Sequence, residues 1–159
     1  MIRLTMIAFG VFSLGGQSSL PPVGAERPFA PAPRVERVLP NGLRIVTMRH
    51  GAVPKVTAML TIESGLAVDP AGKAGLAQFV VDLAQEGTAT RSSEQIKREV
   101  FAMGASLSAT AGQDASTFQI RGLTATLPQM LGVLADVVRN PTFPQGELEL
   151  MKGTTAQRL

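Results

Sequence analysis

The run from Gly75 to Thr88, Gly-Leu-Ala-Gln-Phe-Val-Val-Asp-Leu-Ala-Gln-Glu-Gly-Thr, sets Leu76, Phe79, Val80 and Leu83 at intervals of three and four residues. That is the spacing of a helix with one face in a core. An apolar helix face must be covered by a sheet or by other helices, so the rest of the chain has to supply that cover. Gln78, Asp82 and Gln85 fall together on another face, which is what a solvated helix face ordinarily shows. Gly87 is the expected stop, a left-handed residue ending the last turn.

The chain before this helix reads as strands. Val35 to Leu39 and Leu43 to Arg49 flank Pro40-Asn41-Gly42, a turn signal that predicts a hairpin. Lys55 to Glu63 alternates Val56, Ala58, Leu60 and Ile62 with Thr57, Met59, Thr61 and Glu63, as a half-buried strand does. The lone His50 sits in the turn before it and reads as a solvated loop residue. Asp69-Pro70-Ala71-Gly72 is a loop that delivers the chain into the Gly75 helix.

After the helix, Ser92 opens a second one, with Gln95 placed to close a capping box. Ile96, Val100 and Met103 mark its inner face and Gly104 its end. Ala105 to Ala111 and Ser116 to Arg121 form two strands around Gly112-Gln113-Asp114. Thr126 is the expected N-cap of a third helix with Pro128 in its first turn, and Leu127, Leu131, Leu134 and Val138 are its expected core stripe. Asn140-Pro141 ends it. A fourth helix begins near Gln145 and is weak, because Gly153 costs about 1 kcal/mol relative to alanine and Thr154 and Thr155 are β-branched. This order fits an α+β fold, helices packed on one face of a mixed sheet. No segment repeats.

At 159 residues and 45% hydrophobic content, the chain can bury a core as one domain. The net charge of +3 becomes +2 once Arg3 is subtracted with its leader, and the basic residues are scattered, so nothing points to nucleic acid. Without cysteine there are no disulfides, thiolate metal sites or cysteine nucleophiles. One histidine excludes any site needing two imidazoles.

Residues 1–25 have the pattern of a secretory signal: Arg3, an apolar run from Leu4 to Leu14, and Val23-Gly24-Ala25 before the expected cleavage point. The run falls short of the roughly 20 residues that span a bilayer, so retention as an anchor is the lesser alternative and no stable membrane span is expected. Glu26 to Arg34 is a Pro-rich leader, and the domain is placed at 35–159. In a Gram-negative bacterium the destination would be the periplasm.

Three stretches together resemble the N-terminal domain of the M16 peptidases, the insulinase, pitrilysin and mitochondrial processing peptidase family. Gly75, Leu76, Ala77, Phe79, Gly87 and Thr88 match its G-L-A-H-F-L-E-H and following G-T. Leu39, Asn41, Gly42 and Leu43 match its L-x-N-G-L, and Asn140, Pro141, Phe143, Glu147, Leu148 and Glu149 match its N-P-x-F-x-x-x-E-L-E. The resemblance covers about Val35 to Leu159, and because family members continue with further domains, it implies that the chain is truncated at its C-terminal end. Gly104-Ala105-Ser106-Leu107-Ser108-Ala109-Thr110 also keeps the outline of the family's G-A-x-x-N-A-x-T, on the strand that active members offer to an extended substrate.

The resemblance also implies what is missing. Active members place two zinc-binding histidines and a general-base glutamate where this chain has Gln78, Asp82 and Val81. Continued without a gap from Glu149, the family's third ligand, a glutamate, falls on Arg158, whose guanidinium repels a cation. These four are vestigial motif positions; no catalytic and no metal-binding residue is assigned, and no cofactor is expected in this chain. The implied function is the non-catalytic, peptide-binding subunit of a heteromeric zinc metallopeptidase, a heterodimer whose zinc lies in a partner carrying H-x-x-E-H. One alternative is a structural or assembly protein with an M16-like fold and no peptidase partner. Another is a rebuilt site of Asp82, Glu86 and Gln78, whose oxygen ligands suit calcium or magnesium better than zinc.

Overall fold

The computed structural model describes residues 24, 30–49 and 51–157. All of the expected signal segment but Gly24, the start of the Pro-rich leader, His50 and Arg158 lie outside them. The chain divides into two compact units at His50.

In the first unit, β1 (Arg34–Val38) and β2 (Arg44–Met48) pair antiparallel in a register running from Arg34 opposite Met48 to Val38 opposite Arg44. The turn is closed by Leu39 N–H donating to Leu43 O and Gly42 N–H to Leu39 O, both at 2.9 Å. Gly42 takes a φ of 84° there, which an L side chain rarely adopts. The hairpin is the one the sequence predicts, and all ten of its strand residues are exposed.

The second unit is a three-stranded sheet with helices. β3 (Lys55–Ile62), β4 (Ser106–Ala111) and β5 (Ser116–Leu123) are ordered β3-β5-β4, with β5 central. Around them stand α1 (Leu76–Ala84), α2 (Ser93–Ala102), α3 (Leu127–Arg139) and α4 (Gln145–Ala156). The α+β fold expected from the element order holds. Every pairing among the described strands is antiparallel; the parallel pairing that would make the sheet mixed is not among them. Along β3 the alternation is as expected over Val56, Ala58 and Leu60, half-buried, and Thr57, Met59 and Thr61, exposed, but Ile62, expected on the buried face, is exposed at the strand end.

Phe118 and Ile120 of β5 face Val81, Ile96, Val100, Met130, Val133 and Val137 of the helices in one core. α3 packs along β5 and α1 against β4. Gly122 makes the α3 contact possible, because a Cβ there would lie 2.6 Å from Met130 Sδ. Burying Met130, Val133, Leu134 and Val137 stabilises this packing by roughly 1.5–3 kcal/mol per side chain. α4 buries no residue at all, which agrees with its weak pattern.

α2 forms as its sequence specifies. Ser92 Oγ accepts from Gln95 N–H, Gln95 Oε1 accepts from Ser92 N–H, and Gly104 turns left-handed at a φ of 60°. Four expectations need correction. On α1 the buried residues are Val81, Leu83 and Ala84, while Leu76 and Val80 are exposed, so the helix is rotated from the expected Leu76-Phe79-Val80-Leu83 stripe. On α3 the stripe is Met130, Val133, Leu134 and Val137 in place of Leu127, Leu131, Leu134 and Val138, and Leu131 is 44% exposed. Thr126 does not cap α3 through its side chain; its hydroxyl donates to Leu123 O at 3.1 Å, closing the short turn before the helix. Gly87 is no left-handed stop. It is a site of close approach, where a Cβ would meet Pro144 Cγ and Thr142 Oγ1 at 3.0 Å.

Candidate functional site

α1 is positioned at its N-terminus by a residue outside it. The Asp69 carboxylate accepts from Gly75 N–H at 2.7 Å and from Ala77 N–H at 2.9 Å, satisfying donors that the first helical turn leaves open. It does so opposite the positive end of the helix dipole. Gly75 itself, at a φ of 88°, is the left-handed entry residue. The strand that ends at Ile62 reaches this loop through Gly65, which lies so near the β4–β5 turn that a Cβ would stand 2.3 Å from Gly112 O. Leu66 and Ala67 then donate their N–H groups to Gly112 O and Gln113 O. The entry of α1 is thereby tied to the end of β4.

Two of the four positions singled out by register with the family motif meet here. Gln78 Nε2 donates to Asp82 Oδ1 at 2.8 Å, and Gln78 Oε1 accepts from Ala111 N–H, at the end of β4, at 3.1 Å. Val81 is apart from them, 2% exposed in the core. Arg158 is outside the described residues. Glu86, grouped with Gln78 and Asp82 in the rebuilt-site alternative, is held elsewhere: it accepts from Ser93 Oγ and from Lys97 Nζ, the latter at 2.8 Å. Burial raises its pKa, but the Lys97 and Ser93 hydrogen bonds outweigh that and leave it below its ordinary value. Among the described residues no three His, Cys, Asp or Glu side chains come together.

The donor set does not fit zinc. The Gln78 carboxamide is committed at both ends, its oxygen to a backbone N–H and its nitrogen to Asp82; Val81 has no ligand or base atom, and Asp82 alone offers a carboxylate. What the arrangement does is cross-link α1 to β4.

A second polar cluster, unforeseen in the sequence, holds the exit of α1. Asp136 of α3 is 8% exposed and accepts from Thr88 Oγ1 (2.6 Å), Thr90 Oγ1 (2.9 Å), Arg91 Nη1 (2.6 Å) and Asn140 Nδ2 (2.8 Å). The hydrogen bonds from Asn140 and Thr88, joined by those from Thr90 and Arg91, overcome burial and hold this carboxyl well below the usual carboxylate range. Thr88 also accepts the N–H groups of Thr90 and Arg91. Backbone bonds complete the junction: Thr142 N–H donates to Gly87 O and Ala89 N–H to Asn140 O, and Thr88 and Pro141 form an isolated bridge. The Gly-Thr and Asn-Pro motifs, some fifty residues apart, are the two halves of one joint. Neither motif alone signals the other.

The sequence profile described as Insulinase (Peptidase family M16) matches residues 44–159. The chain belongs to peptidase family M16. It is 30% identical over 121 residues to mitochondrial cytochrome b-c1 complex subunit 1 of Bos taurus, covering 76% of this chain and 25% of that protein. It is 28% identical over 121 residues to mitochondrial-processing peptidase subunit beta of Rattus norvegicus, covering 76% and 24%. This M16 chain thus spans about a quarter of the length of these relatives. Its fold is similar to the crystal structure of a peptidase M16 inactive domain from Pseudomonas fluorescens, with a TM-score of 0.70 and 23% identity over 76% of this chain and 30% of that one.

Proposed function

We propose that this M16 family member is the non-catalytic, peptide-binding subunit of a heteromeric zinc metallopeptidase, with zinc held by a partner that keeps H-x-x-E-H. The observation that supports this most is the state of the α1 motif: Gln78 bridges Ala111 N–H and Asp82 while Val81 fills the core, so the place of the metal ligands is spent on fixing α1 beside an edge strand. A subunit in this condition retains the sheet edge to which an extended peptide can add, without the means to cut it.

The Pro-rich leader and the signal-like segment before it support export, and a periplasmic destination in a Gram-negative cell; among the described residues no helix is long and apolar enough to cross a membrane. Co-expression with an H-x-x-E-H family member from the same source, followed by gel filtration and peptide hydrolysis, tests the reading. Co-elution with raised activity is expected, and separate elution with the other protein fully active alone overturns it. The chain by itself is expected to retain no stoichiometric zinc after dialysis; about one zinc per chain with chelator-sensitive proteolysis would contradict that.

The likeness to a cytochrome b-c1 complex subunit favours a second reading, a structural or assembly role with no peptidase partner. Under that reading the co-expressed peptidase neither binds nor responds.

A further inference from the structure

β3 is an edge of the three-stranded sheet, and β5 is its one strand partner among the described residues. One hydrogen bond fixes which of its backbone groups face outward. Thr124 N–H donates to Pro54 O at 3.0 Å, one step beyond the Lys55–Leu123 pair of the register, and bonded pairs alternate along an antiparallel ladder. Val56, Ala58, Leu60 and Ile62 therefore bond to β5, and Thr57, Met59 and Thr61 turn their N–H and C=O groups away from it. Lys55 N–H is spent locally, on Val53 O at 2.8 Å. The side chains of Thr57, Met59 and Thr61 lie on the open face of the sheet, and Met59 at their centre is 63% exposed. Edge strands are ordinarily guarded against pairing by charges, prolines or bulges. From Val56 to Ile62 β3 has none of these.

This edge is complementary to itself. Laid antiparallel about a two-fold axis through Met59, β3 of a second copy sets Met59 opposite Met59 and Thr57 opposite Thr61, outward residues that exchange both of their backbone bonds. The same register brings Lys55, at the start of the strand, opposite Glu63, the residue after its end. On the helix side it sets Ala58 opposite Leu60 and Val56 opposite Ile62. These apolar side chains are covered only in part by their own helices, and the second copy continues their row. Charge selects this register: slipped by two residues either way, Lys55 faces Thr61 or Gly65, and Glu63 faces Val53 or Thr57. Neither Lys55 nor Glu63 joins an ion pair among the described residues. Opposite charges directly across a ladder stabilise it and like charges destabilise it. β4, the other edge, lacks these features: Gln78 Oε1 takes its Ala111 N–H, and no charge along Ser106–Ala111 sets a register.

We propose that the chain forms a two-fold symmetric dimer through β3, with Lys55 of each copy across from Glu63 of the other. The axis stands perpendicular to the sheet, so the two sheets join into one, both helix layers lie on the same side, and the β4 strands become its far edges. An interface of this kind uses the same patch on both copies, so pairing at β3 stops at two. The inference goes beyond the peptide-binding reading and does not depend on it.

Sedimentation equilibrium of the full chain tests this, with disulfide trapping to read the register. A monomer–dimer equilibrium is expected. Met59→Lys sets like charges against each other at the axis and should weaken the dimer at least tenfold. Lys55→Glu and Glu63→Lys should each weaken it several-fold, and the two together should restore it. Ser108→Lys, on the β4 edge, should leave it unchanged. All four side chains are exposed, and circular dichroism should show each variant folded. The chain has no cysteine of its own. Bonded residues across an antiparallel ladder have Cα atoms about 5.5 Å apart, within reach of a disulfide, so Met59→Cys should cross-link to its counterpart under mild oxidation. Thr57→Cys, roughly 14 Å from its own counterpart by strand rise, should not. A monomer at every concentration, a dimer that survives Met59→Lys, a charge exchange that restores nothing, or Thr57→Cys cross-linking as readily as Met59→Cys each overturns the inference and leaves the peptide-binding reading standing.

Discussion

At Asp136 a single carboxylate collects four side-chain donors from two segments. Replacing it by asparagine leaves Thr88, Thr90 and Arg91 without their charged acceptor, and hydrogen bonds to charged groups contribute about 1.5–3 kcal/mol. Asp136→Asn is expected to lose about that much stability in urea titrations at pH 7. The sign of its pH dependence follows from the lowered folded-state pKa: the contribution is complete above the unfolded-state value, about 3.9, and drains away as pH falls through the folded value. The wild type should thus lose stability below about pH 4, and the difference from Asp136→Asn should narrow as acid is added. Val81 makes the complementary case. Being 2% exposed in the core, it cannot become the motif's glutamate at no cost: burying a polar group there without a partner is expected to cost upwards of about 2 kcal/mol. Val81→Glu should melt well below wild type in a thermal scan, and Gln78→His with Asp82→His well above Val81→Glu.

Each helix shows what local sequence can and cannot specify. α2 was legible because its signals are local: a Ser92–Gln95 capping box, a sparse apolar stripe and a glycine in the left-handed region. α1 and α3 were legible as helices but not in their rotation. Both have apolar residues around more than half their circumference, so several stripes fit the period equally well. For α3 the choice is made from outside, by Gly122 admitting Met130 and by the need of Asp136 to face Thr88 and Arg91. The candidate site divides the same way. Register with a family motif singled out Gln78 and Asp82, yet the partner that gives Gln78 its role is a backbone N–H 33 residues away. The cap of α1 was equally hidden, since Asp69 acts from six residues before Gly75. Asp69→Ala is expected to cost about 0.5–2 kcal/mol, the usual loss of an N-terminal cap. Amide exchange should accelerate first in the opening turn of α1.

In the second unit, four of the matched motif residues and one glycine outside the motifs join its parts. Gly87, Thr88, Asn140 and Pro141 lock the α1–α2 connection to the segment between α3 and α4, and Gly65 seats the entry of α1 on the β4–β5 turn. The two glycines tolerate a methyl group differently. At Gly65 the nearest atoms are three backbone atoms, at 2.3–2.7 Å; at Gly87 they are side-chain atoms, the nearest at 3.0 Å. Overpacking costs about 1–3 kcal/mol, and Gly65→Ala is expected at the upper end or beyond, Gly87→Ala near the lower, as read from urea midpoints. The open side of β4 has a practical consequence for handling the protein. A strand edge with no further strand beside it among the described residues is a template for other chains, so concentrated stocks should thicken into assemblies that scatter light, at a rate rising steeply with concentration. A lysine in place of Ser108, the exposed residue at mid-strand, should keep such stocks clear for longer.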